Sequence, residues 1–164
     1  MNCDVKKMQK MAAALVPGIL EITCLEQGWG RLHFGEAIIK GEPLKTGGKV
    51  FNHGFGTHAE SRISITSAVP MKRFIAVAGP GENSATSLHP EQMAPMRFVL
   101  EADGRRLAES PLLTFGGAFS FDVPLDHSRE IQLVVETPQG ITSAHANWCE
   151  PKITTCEGKM IRCG

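Results

Sequence analysis

The stretch Arg97-Phe98-Val99-Leu100-Glu101-Ala102-Asp103-Gly104-Arg105-Arg106-Leu107 reads as a β-hairpin. An apolar run meets Asp103-Gly104, and a second run resumes directly beyond it. Asp-Gly is the pair that a two-residue hairpin turn selects, because both turn positions take a positive φ. Outward from this hairpin the side chains keep a period of two. In Arg31-Leu32-His33-Phe34 every second residue is apolar. Ser61 to Thr66 places Ile63 and Ile65 on one side and Arg62, Ser64 and Thr66 on the other. Phe119, Phe121 and Val123 alternate with Ser120 and Asp122, as Ile131, Leu133 and Val135 do with Gln132 and Glu136. Such alternation puts one face of each strand on a core and the other toward water. Arg73 to Ala78 and Met96 to Ala102 are more continuously apolar, as central strands are.

Turn formers punctuate these runs: Thr46-Gly47-Gly48, Gly79-Pro80-Gly81, Gly116-Gly117 and Pro138-Gln139-Gly140. Ser84 to Pro95 is one long polar connection. Eight or nine short strands at this spacing predict an all-β antiparallel β-sandwich or jelly roll, spanning residues 19–154.

The chain has 164 residues, enough for one domain that buries roughly two-thirds of its unfolded surface. Lys plus Arg and Asp plus Glu are both 17, a balance that argues against nucleic acid as a partner. Val5, Met8, Ala12 and Leu15 recur at spacings of three and four, which predicts a short N-terminal helix within a leader over residues 1–18. A disordered leader is the alternative. The apolar run Met11 to Leu20 follows lysines like a secretion signal, but Pro17-Gly18 interrupts it and no cleavage site follows. A run of that length does not span a membrane as a helix. Residues 155–164, with basic Lys159 and Arg162, read as a C-terminal solvated tail.

Five cysteines (Cys3, Cys24, Cys149, Cys156 and Cys163) form no CxxC pair, so a zinc knuckle is not expected. A bridge between Cys156 and Cys163, or from Cys24 to a late cysteine, is compatible with the spacing, and the odd count leaves at least one thiol free.

Three clusters carry chemistry: Gly54 to Ser61, containing His58 and Glu60; Asn83 with His89 in the long connection; and Ala144-His145-Ala146-Asn147-Trp148. No hydrolase, metalloprotease, phosphate-loop or dinucleotide motif is present, and no catalytic residues are assigned. His53, His58 and Glu60, with His145 more distant, are the residues a metal-dependent enzyme would use, at a spacing that matches no standard zinc pattern. Sugar binding asks for planar fixed donors and acceptors plus a flat apolar ring. His58, Glu60, Asn83, His145 and Asn147 supply the first, and Trp148 or Trp29 the second. Each of these also suits a structural role, a Trp in a sandwich being more often core than platform.

The order and wording of the motifs narrow the choice. Gly28-Trp29-Gly30, Gly41-Glu42-Pro43-Leu44, Gly54-Phe55-Gly56-Thr57-His58-Ala59-Glu60-Ser61, Arg73-Phe74, the Arg97–Leu107 hairpin and His145-Ala146-Asn147-Trp148 follow one another between about Leu25 and Ile153. This series resembles the NPCBM family of galactose-binding-like carbohydrate-binding modules, often attached to glycoside hydrolases. The resemblance implies a non-catalytic jelly roll that recognises terminal, galactose-type sugars of glycans or polysaccharides. It further implies a place in a larger glycoside hydrolase or surface protein, and an extracellular, periplasmic or cell-surface location. No cofactor is required under it, though some members hold a structural calcium. Two positions depart from the family pattern. Asn147 stands where Asp is common, and Gly79-Pro80-Gly81-Glu82-Asn83 lacks the Asp that commonly follows the strand-ending glycine. Asp→Asn keeps an acceptor but removes a charge suited to a hard cation. The competing expectation is a structural or protein-interaction sandwich that has lost its sugar site, with both Trp residues buried.

Overall fold

The computed structural model describes residues 19–164. The expected leader helix lies outside them. Thirteen strands follow in order: β1 (Leu20–Gln27), β2 (His33–Phe34), β3 (Leu44–Thr46), β4 (Lys49–Phe51), β5 (Gly54–His58), β6 (Ser61–Ser67), β7 (Met71–Pro80), β8 (Arg97–Ala102), β9 (Arg105–Glu109), β10 (Phe119–Pro124), β11 (Glu130–Glu136), β12 (His145–Thr155) and β13 (Met160–Arg162). One sheet runs β1-β6-β11-β8-β9; a second runs β10-β7-β12-β5-β2, with β13 beside β12. All these pairs are antiparallel, and β3 and β4 form a separate small hairpin. The predicted sandwich is the observed fold.

The period of two shows why. Ile63, Ile65, Ile131, Leu133 and Val135 from one sheet and Phe55, Phe74, Phe121 and Trp148 from the other are buried in a shared core. Each large side chain taken from water there contributes about 1.5–3 kcal/mol. Asp103 and Gly104 have φ of 51° and 76°, so the β8–β9 hairpin takes the positive-φ turn its sequence predicts. The Thr46-Gly47-Gly48 turn joins β3 to β4 in the same way, with φ of 59° and 76° at its glycines.

Two expectations are corrected, and the open cysteine pairing is decided. Gly79-Pro80-Gly81 is not a turn, because Gly79 and Pro80 close β7, opposite Asn147 and Ala146 of β12. The proline is tolerated for a geometric reason. Gly81 N–H points to β12 and bonds His145 O, so the Pro80 nitrogen faces the side where pairing with β10 has already ended at Ala78. Residues 155–164 are not a solvated tail. Ile161 and Cys163 alternate with exposed Met160 and Arg162, β13 pairs with β12, and Gly54 N–H bonds Gly164 O. Cys149, Cys156 and Cys163 carry free thiols, so neither of the two bridges that the spacing allows is formed. Cys156 is exposed while Cys163 lies in the core, and burial pushes the Cys163 thiol up to about 12. Among the described residues no helix is long and apolar enough to cross a membrane.

Candidate functional site

The site grows from one cross-strand pair. In the β5–β12 ladder Trp148 stands opposite Phe55, and both side chains fill the core. Alternation then sends His145 and Asn147 of β12, with Gly56 and His58 of β5, to the outer face of the sheet. Part of that face is covered. A Cβ on Gly56 would lie 2.3 Å from Glu36 O, so the segment before β3 rests directly on β5 at this point. His58 is the next outward residue beyond the cover, and His145 lies directly opposite it. Their ring centroids are 5.3 Å apart.

Trp29 completes the row. Its ring centroid is 5.9 Å from that of His58, and 51% of the residue is exposed. Gly28 sets this position. Its N–H bonds His58 O at 3.2 Å, and an added Cβ would fall 1.9 Å from Ala59 O. Only a glycine lets the loop after β1 lie against the end of β5.

The histidines are held firmly. His58 and His145 are 7% and 8% exposed. Ala59 O lies 2.7 Å from His58 Nδ1, and since a carbonyl only accepts, Nδ1 carries the proton. Asn83 Nδ2 is 2.9 Å from His145 Nδ1. The Asn83 oxygen accepts from the Ala85 and Thr86 amides, both at 3.0 Å, which fixes which end of the amide faces His145. Burial lowers the pKa of His58 despite the Ala59 hydrogen bond, and lowers that of His145 to about 4. For His145 the neighbouring His58 adds to burial, and the Glu42 charge opposes it. Both rings are therefore neutral at pH 7.

Trp29, His58, Asn83 and His145 are thus brought together. The other predicted residues have different surroundings. Trp148 is fully buried between Phe98 and Phe121, with centroids 5.3 Å and 5.4 Å away, so it offers no face to a ligand. The parity that sends His145 outward sends Trp148 inward. Asn147 shares the outward face but is 2% exposed, donating to Lys45 O and Thr46 Oγ1 at 3.1 Å each. It clamps β3 onto the sheet. Glu60 is exposed at the β5–β6 turn, with no hydrogen-bond or ion-pair partner among the described residues. His89 is exposed in the long connection.

Glu42 is the residue sequence reasoning missed. Its carboxylate accepts from the Ser84 amide at 2.8 Å and from the Ser84 hydroxyl, tying the pre-β3 segment to the Asn83 loop beside His145. The signal is the carboxylate of Gly41-Glu42-Pro43-Leu44, one of the ordered motifs of the chain.

The proposed metal set does not assemble. His53 and His58 are separated by the length of β5, about 16 Å at the usual rise of an extended strand. Among the described residues no group of three or more His, Cys, Asp or Glu side chains is placed to hold a metal. Nor do the two departing positions fit calcium. The Asn83 oxygen is taken by two amides, the Glu82 carboxylate accepts from the Gly48 amide, and Asn147 directs its amide nitrogen, not its oxygen, at Lys45 and Thr46.

Solved structures share this architecture. The CBM51-2 module in complex with GlcNAc, with INT domains, from Clostridium perfringens ZmpB is 22% identical, with a TM-score of 0.68 over 80% of this chain and 29% of that one. The CBM51 module of Clostridium perfringens GH95 in complex with methyl-galactose is 22% identical, with a TM-score of 0.65 over 80% of this chain and 92% of that one. The tandem CBM51 modules of Sp3GH98 from Streptococcus pneumoniae are 20% identical, with a TM-score of 0.61 over 76% of this chain and 40% of that one. The chain thus spans less than a third of the ZmpB structure it matches. No curated protein matches it. A family model for the NPCBM/NEW2 domain matches residues 19–154, the whole sandwich up to β13, and the chain belongs to that family.

Proposed function

We propose that this domain is a non-catalytic carbohydrate-binding module that recognises a terminal neutral sugar of a glycan or polysaccharide. One observation carries the reading: a half-exposed Trp29 ring beside two neutral, hydrogen-bonded histidines at the open end of β5 and β12. A flat apolar ring suits the C–H face of a pyranose, and fixed imidazoles suit its hydroxyls. Galactose and N-acetylglucosamine, held by modules of the same fold, are the first candidates. A shallow, wet site of this kind binds on the order of µM to mM. Its action is tethering: held in a larger polysaccharide-active or surface protein outside the cell, it raises the local concentration of that protein at its substrate. Calcium has no part in recognition.

A glycan-array screen of the purified chain tests this, with Trp29→Ala as control. Selective binding that the substitution removes is expected. A folded sample that binds no glycan rejects the proposal and favours a structural sandwich, for which Asn147 and Trp148 already speak through their buried structural contacts.

A further inference from the structure

The histidine pair is more specific than two polar rings. Each Nδ1 is committed to a protein partner of opposite character. His58 Nδ1 donates to Ala59 O, which leaves its Nε2 as a bare acceptor. His145 Nδ1 accepts from Asn83, so the proton of that ring sits on Nε2, which is a donor. Neither Nε2 has a protein partner among the described residues. The two rings share one face, at adjacent positions of a ladder, 5.3 Å apart.

The geometry points to Asn83 as a specificity-determining residue that acts through His145: it holds the ring as an Nε2–H donor beside the Nε2 acceptor of His58, a matched pair for ligand hydroxyls. A hydroxyl both gives and receives a hydrogen bond, so one such group, or two on neighbouring carbons, satisfies both rings. A carboxylate leaves the His58 acceptor without a proton, and an ammonium leaves the His145 donor without a lone pair. The pair therefore selects a hydroxyl over a carboxylate or an ammonium at the position it contacts. A site built to hydrogen-bond both ways discriminates strongly, because a wrong ligand leaves a buried polar atom unpaired. This specificity rests on the carbohydrate reading above, whereas the tautomers themselves do not.

Long-range nitrogen–proton NMR of the 15N-labelled full chain, without ligand at pH 7, reads each tautomer directly. His58 is expected as Nδ1–H and His145 as Nε2–H. A His145 ring protonated on Nδ1, or exchanging between forms, overturns the inference whatever the chain binds. Asn83→Asp then separates roles. The new carboxylate still accepts from Ala85 and Thr86 but no longer donates to His145. The His145 proton should move to Nδ1, or a second should be gained, and affinity for methyl galactoside or N-acetylglucosamine should fall at least tenfold. An unchanged affinity with a changed tautomer removes the specificity role.

Should Asn83→Asp fail to fold, His145→Gln and His145→Glu serve instead. The glutamine can accept from Asn83 and donate to the ligand, and should retain more affinity than the glutamate. The glutamate cannot donate and should lose binding, and equal behaviour of the two overturns the inference. A chain that binds neither sugar rejects the carbohydrate reading, while the NMR result still decides whether the pair is built as donor and acceptor.

Discussion

His58 and His145 face each other across the β5–β12 ladder, each with its Nδ1 held by a protein partner and its ring neutral. Nothing in this pair has to reorganise before a ligand arrives, since the strands set the backbone and the Nδ1 bonds set the rings. Preformed polar groups of this kind spare the ordering cost of binding.

Acid should weaken the fold through this pair. His145 titrates at about 4 when folded against 6.5 when unfolded. Between those values the unfolded chain holds a proton that the folded chain refuses, so stability falls as pH falls from 6.5 toward 4. The loss is up to about 3 kcal/mol from His145, and His58, whose pKa is also lowered, adds in the same direction. Protonating Nδ1 also ends the Asn83 hydrogen bond, which needs a bare lone pair. Urea unfolding at pH 7, 5.5 and 4.5 checks this. The slope should shrink in His145→Gln, and a slope that the substitution leaves unchanged would assign the acid sensitivity to other groups.

The two tryptophans should part company on substitution. Trp29→Ala should abolish glycan binding while stability changes by less than about 0.5 kcal/mol, as for an exposed side chain. Trp148→Ala opens a cavity among Phe98 and Phe121 and should cost about 3–5 kcal/mol. Thermal unfolding beside a glycan titration measures both. Loss of binding in a fully stable Trp148→Ala would contradict its placement in the core.

Asn147 should behave as a clamp rather than a contact. Asn147→Ala leaves Lys45 O and Thr46 Oγ1 without its amide and should destabilise by about 1–3 kcal/mol. Asn147→Asp should be at least as damaging, because a carboxylate then faces the Lys45 carbonyl. Unchanged stability with lost sugar affinity would instead mark Asn147 as a ligand-binding residue.

Chelation should have no effect. Neither departing position offers calcium a set of free oxygens, so melting temperature and glycan affinity should be the same in EDTA and in excess calcium. A rise in melting temperature with calcium, by differential scanning fluorimetry, would show a cation site formed by other oxygens of the chain.

Much of the fold was legible in local pattern. Alternation in Ser61–Thr66, Phe119–Val123 and Ile131–Glu136 set strand, face and core together, and Asp103-Gly104 set its hairpin, because each depends only on neighbours in the chain. The same period of two runs through Met160 to Cys163, where the basic charge of Lys159 and Arg162 points instead to a solvated tail. Motif order reached the family. What neighbours along the chain cannot report is partnership across it. The chain brings Asn83 against His145 and Asn147 against Lys45 through separations of 62 and 102 residues. His145 and Trp148 lie three apart in one motif, yet an odd separation on a strand sends one to the site and the other to the core. The sequence by itself determined the alternating central strands, the sandwich class and the family to which the chain belongs. Only the tertiary structure decided that Trp29 is the exposed ring, that Asn83 governs His145, and that Asn147 and Trp148 hold the fold, since burial and hydrogen-bond direction exist only once distant strands have met.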